Sequence, residues 1–322
     1  MLMVAAAGLL MASCQHKELC YDHSHVVDLK VVFDWQNAPD ANPASMSLYM
    51  HPAEGGEVKR YDFSQREGGK ARISLGTYHA LCLNSDNVDW AQFQGTDRHE
   101  TFEIYTQTVD MLIGNGFSTR GLPQAAQAAD ERIAMAPQMV WSGHCEEFKL
   151  AGNGTQQTLT MYPKESVCHY TVLINNVKNA EYVQGTVLDA TLSGMAEGYL
   201  PALEQSTDTP VTFPFEGSLS KENRTITGNF LTFGDCATTE TRHYLMIYMF
   251  LTDQSKWYTT IDVTDQIHNA ADPQHVQIVI DTLELPKPIP GTGGSGSGSG
   301  SGNGGFHPDI EEWQSNDVEI VM

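Results

Sequence analysis

The chain of 322 residues is short of positive charge, with 18 Lys and Arg against 40 Asp and Glu and a net charge of −22. A surface this acidic repels phosphate backbones, which argues against nucleic acid as a partner, and it offers no polybasic patch to a membrane. After the first residues no apolar run reaches the roughly 20 residues needed to cross a bilayer. Helical periodicity is almost missing. Cysteine is sparse, at positions 14, 20, 82, 145, 168 and 236. Such wide, irregular spacing fits neither a disulfide scaffold nor a structural zinc module. The signatures of catalysis are missing as well. There is no Gly-x-Ser-x-Gly elbow, and the Gly/Asn pairs at 115–116 and 152–154 are turns with no following Lys-bearing helix.

What is present begins with Met1–Cys14, MLMVAAAGLLMASC. An apolar stretch ending in small residues before a cysteine reads as a signal peptide with a lipobox-like end, cut before Cys14. Cys14 would then carry palmitate-type chains on its sulfur and new amino group, and two or more such chains hold firmly to a membrane. Lys17 is the first basic residue, so the charged start of such a leader would lie upstream. Residues 14–25 are a polar tether. Its His16, Cys20, His23 and His25 are metal-type ligands, but no second pair follows at regular spacing. Neither a metal nor another cofactor is expected.

From Val26 onward the pattern is short strands between turn signals. Val26–Trp35, Ser45–His51, Val58–Phe63, Arg72–Leu83, Thr101–Gln107, Met139–Trp141 and Glu146–Leu150 read as strands of a first unit, 26–154. Residues 123–135, PQAAQAADERIAM, form the best helical stretch. After the Gly/Asn break at 151–155, a second unit, 155–285, runs through strands at Thr158–Tyr162, Cys168–Ile174, Val187–Leu192, Val211–Phe215, Thr225–Phe233, Trp257–Val263 and Val276–Ile280. Tyr244–Thr252, the most continuously apolar stretch, reads as a central strand. The expectation is an all-β protein of two tandem sandwiches.

Two features remain to be weighed. His144 and Cys145 pair a base with a thiol, but neighbours on a strand point to opposite faces. Trp90, Phe93 and Trp257 would form a glycan platform if they faced solvent. The end of the chain differs in kind. Residues 286–305 pass from Pro-rich to GTGGSGSGSGSGNGG, a flexible linker whose 15 glycine-rich residues span roughly 20 Å on average. Residues 306–322 follow, with Val318, Ile320 and Met322 on one face and Phe306 and Trp313 as anchors. A lone strand is unstable in water, so this segment requires a sheet to dock on.

Taken in order, several pieces resemble the fimbrillin superfamily of anaerobic-bacterial surface lipoproteins, in particular the anchor and accessory branch of type V pili. They are the lipobox at Cys14, the strand Leu29–Trp35, Gly76-Thr77-Tyr78 ahead of Asn84, and Ala136–Gly143. Pro163–Ile174, Thr191–Met195, Tyr258–Ile267 and the terminal Phe306, Trp313 and Val318–Met322 complete the set. The CQHKELCYDHSH start is similar to an uncharacterised subgroup. The resemblance implies transthyretin-like sandwiches, an outer-membrane lipoprotein, and fimbrial subunits as partners. Polymerising pilins of this family are cut after a basic residue in the first domain. Arg60, Arg66 and Arg72 lie near strands and none stands out, which disfavours a shaft subunit.

Overall fold

The computed structural model describes residues 26–86, 90–152, 156–236, 240–288 and 313–317. It is an all-β protein built of two sandwich-like units. In the first unit, β1 (Val26–Phe33), β2 (Met46–Pro52), β3 (Lys59–Phe63), β4 (Gly68–Ser74) and β5 (Gly76–Asn84) follow in close succession. Next come the short hairpin strands β6 (Ala91–Gln94) and β7 (Glu103–Thr106), then β8 (Trp141–Leu150), β9 (Gln157–Met161) and β10 (Lys164–Glu165). A three-stranded sheet, β4-β1-β9, packs on a five-stranded one, β10-β8-β5-β2-β3. Alternation explains the core. Leu29, Val31 and Phe33 of β1 meet Met46, Leu48 and Met50 of β2 and Ala80 and Cys82 of β5.

The second unit contains β11 (Cys168–Ile174), β12 (Val177–Lys178), β13 (Val187–Ala196), β14 (Gly198–Leu200), β15 (Gln205–Ser206), β16 (Pro210–Ser220) and β17 (Thr225–Thr232). Then follow β18 (Tyr244–Phe250), β19 (Lys256–Asp262), the short α1 (Thr264–His268), β20 (His275–Ile280), β21 (Leu283–Glu284) and finally β22 (Gln314–Asp317). Eight of these strands form one sheet, β20-β11-β17-β16-β13-β18-β19-β22. It curls on itself, because Val172, Phe230 and Ile278 from one end share a core with Leu192, Phe213 and Ile247 from the other. At the β13 bulge Gly194 has a φ of +77°, and a Cβ there would lie 2.6 Å from the Arg242 carbonyl oxygen, so a residue without a side chain is required.

Three findings depart from the sequence reading. The strand after the Gly/Asn break does not open the second unit: β9 runs parallel to β1, with Leu29 opposite Gln157 and Phe33 opposite Met161. The expected helix at 123–135 is a single 3₁₀ turn, Ala126–Ala128, without a side-chain cap. Short helices without caps depend on tertiary packing, and here packing prefers an irregular path. Along it Leu122, Ala125, Ala128 and Ile133 cover Tyr244, Met246 and Tyr248 of β18. That covering is why β18 reads as continuously apolar: Leu245, Ile247 and Met249 face the sandwich core, and the alternate residues face this strap. Thirdly, Trp90 is 2% exposed and packs near Phe233 of the second unit. It belongs to the core and not to a glycan platform.

The two units interlock. β7 pairs with β14, making a four-stranded sheet β15-β14-β7-β6 from both. Arg132 adds an ion pair to Glu197 at 2.6 Å, both side chains mostly buried.

Candidate functional site: the docked terminal strand

The edge of the large sheet is where the expected terminal segment meets the fold. β22 pairs in parallel with β19, placing Gln314 opposite Trp257, Ser315 opposite Tyr258, Asn316 opposite Thr259 and Asp317 opposite Thr260. A second hold comes from the Asn316 amide, which donates to the Glu284 carbonyl at 2.8 Å. The seat itself is aromatic. Trp313 lies 4.7 Å from Phe117, 5.6 Å from Tyr248 and 6.4 Å from Tyr258, ring centre to ring centre. Phe117 in turn packs 4.6 Å from Phe250. Tilted and edge-to-face contacts of this kind suit the ring quadrupoles.

Two strands and the strap build this seat. Tyr248 and Phe250 come from β18 and Tyr258 from β19, while Phe117 is delivered by the strap, which runs from Leu112 to Ile133. The strap is fixed from below by Asp189, a 1% exposed carboxylate of β13 that accepts the backbone N–H groups of Gly114 (2.8 Å) and Asn115 (2.7 Å). Tyr248, also buried, donates its hydroxyl to the Pro123 carbonyl at 2.7 Å. Burial raises the Tyr248 hydroxyl pKa, so it stays a donor.

Of the sequence-predicted anchors, Trp313 is therefore placed on the sheet edge. Cys14, Phe306, Val318, Ile320 and Met322 lie outside the described residues, as do His16, Cys20, His23 and His25. Sequence reasoning missed the receiving side entirely. Phe117, Tyr248 and Tyr258 are far apart in the chain, and only the double-sided apolarity of β18 hinted that something covered it.

The weaker candidates separate. His144 faces Glu146 and Glu204, at 3.5 and 3.6 Å, whereas the Cys145 thiol donates to the Glu147 carbonyl. Burial raises the Cys145 pKa, so the thiol is not poised as a nucleophile. Cys168 is pushed up to about 11 for the same reason, and the Cys236 thiol donates to the Asp208 carbonyl. Phe93 and Trp257 are half-buried, the first against Phe102 and the second with its indole N–H on Ser255.

These features define the class: a tandem β-sandwich protein whose last described strand follows a long Gly/Ser-rich stretch of sequence. The chain belongs to the family described as Domain of unknown function (DUF5119), which matches residues 13–216. No curated protein matches it. Among solved structures, it is similar to one described as a "putative adhesin" from Bacteroides ovatus, at 21% identity and a TM-score of 0.62, covering 88% of this chain and 99% of that one. The fimbrial anchor protein Mfa2 from Porphyromonas gingivalis is 13% identical, with a TM-score of 0.46 and coverage of 79% and 90%. A fimbrial assembly protein from Parabacteroides distasonis is 10% identical, with a TM-score of 0.36 and coverage of 80% and 92%.

Proposed function

We propose that this chain is a non-enzymatic, lipid-anchored surface protein, a fimbrial anchor or accessory subunit that assembles through β-strand contacts. The observation that carries the reading is the aromatic seat beside β19, occupied by a strand that follows a long Gly/Ser-rich stretch of sequence. A seat and a tethered strand are the two halves of strand exchange between subunits. The likeness to the Bacteroides ovatus protein, which is described as a "putative adhesin", supports a surface role. In this reading Cys14 bears the lipid and holds the chain to the outer membrane at the cell surface. Phe306 and Trp313 anchor the terminal segment, and Val318, Ile320 and Met322 form its apolar face. Other fimbrial subunits are the partners.

Removing residues 306–322 tests the assembly half. Retained folding with lost association with fibres is expected; undiminished association overturns it. Replacing Ile320 with Asp is expected to abolish docking, since a charge would enter an apolar groove. Replacing Cys14 with Ala tests the anchor. It should release the protein from the membrane fraction and end acyl labelling, and a variant that stays labelled and bound refutes the lipid assignment.

A second reading has its own support. β22 pairs with β19 of the same chain. On that basis the protein is a glycan- or protein-binding surface module with its terminal strand closing its own second sandwich. Loss of folding on removal of the tail favours this reading.

A further inference from the structure

One end of the five-stranded sheet gathers histidines. His51 of β2 and His79 of β5 are cross-strand partners, and His144 of β8 lies on the same face, opposite Leu81. A bulge in β8, where Glu146 and Glu147 together oppose His79, turns Glu146 toward them. The turn between β6 and β7 then lays His99 over the group. His99 and His79 stack with ring centres 5.4 Å apart, and His51 is 5.7 Å from His99.

Two details of this cluster point to a cation. His99 is 2% exposed and its buried Nε2 has no partner. His79 bonds through Nδ1 to the Glu146 carbonyl oxygen. When a backbone carbonyl holds one imidazole nitrogen, the other is left bare and aimed, the usual support for a metal-bound histidine. One donor atom each from His79, His99 and Glu146 lies within 4.8 Å of the others. Tetrahedral zinc needs about 3.4 Å between donors, so the three must draw together, the exposed Glu146 carboxylate by rotating and the partly exposed His79 ring by tilting toward His99.

Two other histidine clusters among the described residues lack this signature. His243 and His268 already bond each other through Nε2 at 3.2 Å. His169 and His275 are more exposed than His99, and neither carries a buried nitrogen without a partner.

We propose that His79, His99 and Glu146 form a binding site for a divalent late first-row cation such as zinc. Two imidazoles and one carboxylate leave a fourth position for water, and the donor set disfavours calcium and magnesium. Bound, the ion clips the β6–β7 turn to the five-stranded sheet.

The test is a zinc titration of the tag-free full chain at pH 7.5 against a chromophoric chelator, with melting followed in parallel. The native chain is expected to bind one more equivalent than either His79→Ala or Glu146→Gln. Zinc should raise its melting temperature by several degrees while leaving both variants unmoved, and calcium should do nothing. Both replaced side chains are partly exposed, so the variants should melt near the native chain without zinc; His99→Gln serves as a third. If the variants keep the native stoichiometry and the native zinc-induced shift, the site is refuted and zinc binds elsewhere on the chain.

Discussion

Replacing Trp313 with Ala isolates what holds the terminal strand. Trp313 is half-buried against Phe117, Tyr248 and Tyr258. A tryptophan buries on the order of 200 Å² when fully covered, so about 100 Å² is lost here. At about 25 cal/mol per Å² that is about 2.5 kcal/mol. Aromatic geometry adds roughly 0.5 kcal/mol or more. The sum, about 3 kcal/mol, lowers the docking equilibrium by roughly 100-fold, since each 1.4 kcal/mol is a factor of ten. The four residues of β22 supply little independent hold, because beyond backbone pairing to one neighbour they add only the Asn316 side-chain hydrogen bond to Glu284. Hydrogen exchange read by mass spectrometry gives the answer directly. In Trp313→Ala, amides of Gln314–Asp317 should exchange about 100 times faster, while those of β18 keep their protection. Unchanged protection in the tail would mean that the aromatic seat is incidental, and the docking argument would fail with it.

Other consequences are open to measurement. Asp189→Ala strands the Gly114 and Asn115 N–H groups, so urea unfolding should show a loss of about 2–4 kcal/mol and a strap more open to protease. Gly194→Ala places a Cβ against the Arg242 carbonyl at a positive φ, and a destabilisation of at least about 2 kcal/mol is expected from thermal melts. His243 is fully buried, and burial, aided by the neighbouring His268, lowers its pKa below the usual 6.5 against smaller opposing contributions from the Ser193 carbonyl, Asp235 and Asp262. The unfolded chain therefore binds a proton that the folded chain refuses. Stability should be complete above about pH 6.5 and fall as pH drops below it, by up to about 1.4 kcal/mol per pH unit. Urea melts at pH 7.5 and 5.5 check this, and His243→Gln should reduce the difference, with His51 and His99, also lowered by burial, keeping a share of it.

Period-two alternation made most strands visible, because each sheet has one face in a core: Leu29, Val31 and Phe33 carry the signal for β1 without help from elsewhere. It placed β18 correctly as central. Alternation could not say which sheet a strand joins. The Gly/Asn break ahead of β9 points to the second unit, yet pairing with β1 is a long-range choice with no local mark. The alanine-rich 123–135 stretch misled for the opposite reason. Its local propensity is helical, but Glu131 is drawn out to accept from the Gly194 N–H and the Thr212 hydroxyl. Trp90 was unreadable as core because its cover arrives from Phe233. The histidine cluster was equally hidden: its members come from four separate segments between residues 51 and 146, with no spacing that a motif would record.

The position of β22 also bears on the order of events during synthesis. A sheet edge with unpaired amides and carbonyls is a template for any other strand, its own copies included. β19 is such an edge until β22 reaches it, and β22 is the last of the described strands to leave the ribosome. For as long as the Gly/Ser segment is still being made, the nascent chain carries an open edge beside a pocket of aromatic rings. Copies of the protein crowded together at that stage are liable to join one another there. A holdase that shields the β19 edge until the tail arrives would decide how much of the product ends up monomeric.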